Sequence, residues 1–88
     1  MHAVVVQVTI NDDTGAAESH LREQVVPGVS QAPGFVAGYW TRKDNDGLSM
    51  SVWESEAAAN TASDMARSVA PAGVTVNSVE VREVVASA

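Results

Sequence analysis

The run Pro33-Gly34-Phe35-Val36-Ala37-Gly38-Tyr39-Trp40-Thr41-Arg42, followed after a polar turn by Leu48-Ser49-Met50-Ser51-Val52-Trp53-Glu54-Ser55, holds every aromatic side chain of the protein. Both runs alternate, which is the period of a half-buried strand. Phe35, Ala37, Tyr39 and Thr41 fall on one side of the first, with Val36, Gly38, Trp40 and Arg42 on the other. In the second, Leu48, Met50 and Val52 oppose Ser49, Ser51 and Trp53. Between them lies Lys43-Asp44-Asn45-Asp46-Gly47, whose Asp-Gly pair is a hairpin signal. The two strands are expected to pair antiparallel, and the packing of the chain is decided there.

Upstream, Ala3 to Ile10 is rich in β-branched residues, with Val4, Val6, Val8 and Ile10 on one face and Val5, Gln7 and Thr9 on the other. This pattern predicts a central strand. Asn11 to Gly15 is turn chemistry that offers a helix cap at Asp13 or Thr14. Ala16 to Val26 reads as a helix with Ala17, Leu21 and Val25 on its apolar side, kinking or ending near Pro27-Gly28 because proline lacks the backbone donor. Downstream, Ser55 can cap a second helix with Glu56 in its first turn and an apolar stripe of Ala58, Ala62, Met65 and Val69. Its small residues either let the helix sit close to the sheet or leave a void beneath it. Pro71-Ala72-Gly73 breaks that helix, Val74 to Val85 is a last strand, and Ala86 to Ala88 should fray.

The predicted order is β-α-β-β-α-β. With right-handed crossovers it gives one α+β domain over residues 1–88, ferredoxin-like, a four-stranded antiparallel sheet with both helices on one face. Val5 beside Val6, and Val52 beside Trp53, make the inner strands apolar on both sides. One helical layer covers one face only, so the other is expected to be covered by a second copy of the chain, face to face. A domain of this size buries only about 60% of the surface its unfolded chain exposes, which makes help from a partner subunit reasonable.

Composition narrows the function. Five basic residues, dispersed, against eleven acidic ones give a net charge of −6, the opposite of a nucleic-acid footprint. There is no cysteine, hence no disulfide, thiolate site or cysteine nucleophile. The N-terminal residues do not read as a signal peptide, and no stretch approaches the roughly 20 apolar residues of a membrane span. A soluble cytoplasmic protein is expected. His2 and His20 are far apart and form no paired ligand motif, so no metal is expected. His2 is placed at a terminus where disorder is the default.

Pro33-Gly34-Phe35 opening one strand, Val52-Trp53-Glu54-Ser55 with Glu56-Ala57 closing the next, and Arg22-Glu23-Gln24-Val25-Val26-Pro27 before them resemble the dimeric α+β barrel superfamily of antibiotic biosynthesis monooxygenase-like proteins, in a largely uncharacterised branch. The resemblance implies a homodimer with a ligand cavity between helices and sheet. It also implies a choice between cofactor-independent oxygenation of a small hydrophobic aromatic compound, needing neither metal nor flavin, and a non-catalytic binding or structural role. The superfamily's heme-degrading enzymes use an Asn on the first strand and a Trp and a His on or after the second helix. Here those positions hold Val6, Ala62 and Pro71, so heme degradation is not expected.

Candidates for lining the cavity are Trp40, Ser49, Ser51, Trp53, Asn60 and His20. The indoles can stack on an aromatic ligand and donate N–H bonds, or serve as ordinary core. Ser49 and Ser51 share the face of Trp53, so that face either forms a polar pocket or is only partly covered. His20 is a titratable base near neutral pH or a solvated helix residue between Glu18 and Glu23. Arg42, Lys43 and Asp44 read as a solvated hairpin rim, and no catalytic residue is assigned.

Overall fold

The computed structural model describes residues 1–11, 14–68 and 73–88. Its elements are β1 (His2–Ile10), α1 (Ala16–His20), a π-helical turn (Leu21–Val25), α2 (Val26–Ser30), β2 (Phe35–Lys43), β3 (Asp46–Trp53), α3 (Glu56–Ser68) and β4 (Val74–Glu83). The sheet order is β2-β3-β1-β4 with every neighbouring pair antiparallel. This is the expected α+β, ferredoxin-like arrangement, with α1 to α2 acting as one helix and α3 as the second.

The β-branched first strand takes the centre, paired along one edge with β3, from His2 opposite Trp53 to Thr9 opposite Asp46, and along the other with β4. His2 is part of this strand and lies 3.3 Å from the Glu56 carboxylate, so the terminal residue expected to be disordered is held. Strict alternation fails at two places. In β2 the register slips at Val36, since Phe35 faces Trp53 and Ala37 faces the next residue, Val52. Phe35 therefore joins the face of Gly38 and Trp40, contrary to the simple alternating reading, and Val36 is left 46% exposed. In β4 the slip skips Asn77, which places Val74, Val76, Val79 and Val81 on one face and lets the Asn77 amide donate to Thr9 Oγ1 at 2.9 Å. A bulge changes which residues share a face without changing composition.

Of the two outcomes expected near Pro27, the first helix is made irregular rather than ended. Pro27 neither donates a bond nor tolerates the carbonyl four residues back, yet the chain does not stop there. The preceding turn widens, with the Val26 N–H bonded to the Leu21 carbonyl five residues before, and Pro27 then falls in the first turn of α2, where it fits. The helix runs on through Gly28 to Ser30. Its start is Gly15 in the left-handed region, while Thr14 Oγ1 accepts from the Ala16 N–H at 3.3 Å. The alternative cap, Asp13, lies outside the described residues.

At the hairpin the turn is Asp44-Asn45, with Asp44 at φ 53, and the Lys43–Asp46 pair closes it. Asp46-Gly47, read as turn, belongs to β3, where Gly47 is buried opposite Val8. Gly34 does make the sharp entry into β2. Its φ is +85, its carbonyl accepts from the Glu54 N–H at 2.8 Å, and a Cβ there would lie 2.9 Å from Ala58 Cβ.

Ser55 caps α3 as expected, its Oγ accepting from the Ala58 N–H at 3.1 Å. The helix packs closely. Ala59 is fully buried, Ser63 nearly so, and Ala58 and Ala62 pack beside them against a centre of Val4 and Trp53. Met65, assigned to the apolar stripe, is instead 61% exposed, because it lies roughly 200° round the helix from Ser63. Val69 is outside the described residues. The last strand stops at Glu83 rather than Val85, which is exposed.

One sheet face is thus covered by helices. On the other, Ala37, Tyr39, Leu48, Met50, Val52, Ala3 and Val5 share a face by register, and Tyr39, Leu48 and Met50 are exposed at 68%, 43% and 44%. Because Ala59 is fully buried against Val4 and Trp53, Ala59→Leu is expected to destabilise the fold by about 1–3 kcal/mol through overpacking, read as a lower urea midpoint at unchanged slope.

Candidate functional site

Small residues bring α3 down onto the sheet, but the first helix has no such stripe, and the space lies on its side. A cleft of about 350 Å³ opens between this helix, β2 and the end of β1. Ile10, Leu21, Val26 and Trp40 supply its apolar lining, and Glu18, Arg22 and Arg42 its charges. The π-helical turn matters here. The widened turn that links Leu21 to Val26 carries Val26 to the side where Leu21 and Arg22 line the cleft, whereas a regular helix would favour Val25.

Trp40 is held by the strand below it. A Cβ on Gly38 would lie 2.8 Å from Trp40 Cη2 and 2.9 Å from Cζ3, so the absence of a side chain at 38 lets the six-membered ring lie over the backbone. Glu18 sits between the two guanidinium groups, with Arg42 Nη1 at 2.8 Å from one oxygen and Arg22 Nη2 at 3.8 Å from the other. Arg42 Nε also donates to the Asp44 carbonyl at 2.6 Å. These groups are partly solvated, the Glu18 side chain at 42% and Arg42 at 32%, so the pairs orient the side chains and add only about 0–1 kcal/mol each.

Of the six side chains expected to line a cavity, Trp40 alone lines this cleft. Ser49 and Ser51 do share its sheet face, Ser49 directly opposite Trp40. Ser51 is engaged, since its Oγ accepts the Trp53 indole N–H at 2.9 Å. Trp53 is 3% exposed and meets Phe35 edge to face with ring centroids 5.5 Å apart, which makes it core. His20 ends α1 half-buried and outside the lining, and Asn60 is exposed on α3. Arg42, read as a solvated rim, is exposed as expected and also forms a wall of the cleft. Glu18 and Arg22 were legible only as a charged pair four residues apart on a helix, a spacing that puts them on one side but does not say what they face.

A second, more open groove of about 600 Å³ crosses the uncovered sheet face at the hairpin end, lined by Gln7, Lys43, Asp46, Leu48 and Asn77 among others. Among the described residues two buried polar atoms have no partner, His2 Nδ1 and Ser63 Oγ, and neither residue lines either cleft. Among the described residues no group of three or more His, Asp or Glu side chains converges to hold a metal, and no helix is long and apolar enough to cross a membrane.

No protein-family model matches the chain, and no curated protein matches it.

Two substitutions separate core from cleft. Ser51→Ala leaves the buried Trp53 N–H without an acceptor and is expected to cost about 1–3 kcal/mol of stability in urea unfolding. Gly38→Ala is expected to displace the Trp40 ring, shifting intrinsic fluorescence while the far-ultraviolet circular dichroism stays that of the wild type.

Proposed function

We propose that this protein is a homodimer that binds a small hydrophobic aromatic compound in the cleft beneath its first helix. The observation that carries the reading is the cleft itself, walled by Ile10, Leu21 and Val26 with the half-buried Trp40 ring available for stacking. The dimer rests on the uncovered face, where exposed Tyr39, Leu48 and Met50 surround the apolar centre of the sheet. A patch of that kind on a small domain favours association. The resemblance to the dimeric α+β barrel superfamily supports the same pairing.

Binding without catalysis is favoured over the monooxygenase-like reading. Cofactor-independent oxygenation of a phenol needs a group to accept the phenolic proton. Among the described residues Glu18 is the one carboxylate in the lining, and its two oxygens are already engaged by Arg42 at 2.8 Å and Arg22 at 3.8 Å. His20 lies outside the lining.

The binding test is titration of 2-naphthol into the protein, followed by tryptophan fluorescence and calorimetry. Saturable binding is expected, weakened about tenfold in Trp40→Ala through loss of ring stacking. No binding up to millimolar 2-naphthol would sink the reading, and oxygen uptake with bound 2-naphthol would establish the enzyme instead. For the dimer, sedimentation at micromolar concentration should give twice the chain mass, and Met50→Glu should give monomer, since an unpaired buried charge is strongly unfavourable. A wild-type monomer would refute the pairing.

A further inference from the structure

The charges around the cleft are out of keeping with the rest of the molecule. The chain as a whole carries −6, with five basic residues. Two of those five, Arg22 and Arg42, line this one cleft, and among the described residues they face a single carboxylate, Glu18, so the described lining has an excess positive charge. The pattern is local, because the neighbouring hairpin adds Lys43 together with Asp44 and Asp46 and is not itself basic.

We infer that the ligand is an aromatic acid, its ring system against Trp40, Leu21 and Val26 and its carboxylate taken by Arg22 and Arg42. The inference rests on the binding reading above and specifies the ligand's chemical class. Glu18 already shows that a carboxylate fits between the two guanidinium groups, 2.8 Å from Arg42 and 3.8 Å from Arg22. The longer contact is beyond hydrogen-bond reach, and the Arg22 side chain is 77% exposed, so its donors are open to an incoming anion. Arginine presents several N–H donors in one plane and suits a second carboxylate better than a point charge would. Size adds a limit. At about 350 Å³ the cleft lies near the lower end of small-molecule sites, about 300–1,000 Å³, which suits one or two fused rings rather than a polycyclic compound.

The test compares naphthalene-2-carboxylate with naphthalene-2-carboxamide, nearly the same shape without the charge, titrated calorimetrically into the full chain at low ionic strength. The carboxylate is expected to bind about tenfold tighter or better, with the difference shrinking as salt is raised. Arg22→Met, at an exposed site that leaves folding intact, should remove much of the preference, and Arg42→Met most of it. Unfolding curves of both variants verify that they are native. Glu18→Gln removes the competing carboxylate and should tighten the acid severalfold more than it changes the amide. Equal affinity for acid and amide would overturn the inference while leaving the cleft as a binding site. Failure of both probes to bind up to millimolar concentration would overturn the site and the inference together. A preference that survives in both arginine variants would also overturn it, because the anion would then be held elsewhere.

Discussion

Trp53 sits where β3 passes the chain to α3, and its contact with Phe35 ties the fold together. It is the largest side chain of the buried cluster, almost wholly buried among Val4, Ala59 and the edge of the Phe35 ring. Its indole N–H is satisfied by Ser51 two residues back on the same strand face. A small domain has little surface to bury, so one tryptophan in such a position carries a large share of what is removed from water. The constraint propagates. Phe35 reaches Trp53 because β2 bulges at Val36, and α3 can approach the indole because Ala58, Ala59 and Ala62 keep its lower side thin.

Close packing on one half and space on the other follow from the two helices' different residues. The alanine face of α3 leaves no room. The first helix meets the sheet with Leu21, Val26 and Val29, and Pro27 forces the turn before it to widen. Larger side chains on a broadened helix stand off from the strand, and Trp40 lies flat over Gly38 in the space so made. The cleft is therefore a consequence of packing under one proline and one glycine. Its charged mouth follows from Arg42 at the strand end reaching Glu18 on the helix.

Much of this architecture was legible along the chain. Strand alternation identified β1, β2 and β3, Ser55 announced α3, and the element order implied the sheet topology. What alternation could not carry were the slips at Val36 and Asn77, because a bulge is decided by how neighbouring strands register and leaves no mark in composition. Pro27 read as a kink or an end, and the local sequence could not choose between the two. Local rules describe what proline disfavours, and tertiary packing decided that a widened turn was the better solution. Of the site, Trp40 was visible as an aromatic on a strand, whereas the Glu18–Arg42 contact joins residues 24 apart and depends on the helix lying over that strand.

By itself the sequence determined the elements, their order, the two-sided apolar character of the inner strands and the absence of cysteine chemistry. These are properties of local pattern and composition, which survive without knowledge of neighbours. Only the tertiary structure decided which residues share a face, which helix packs tightly, and that two of the few arginines line one cleft beside Trp40. Those outcomes depend on strand register and on the distance between layers. Both are set by contacts between residues remote in the chain, with Trp53 and Phe35 first among them.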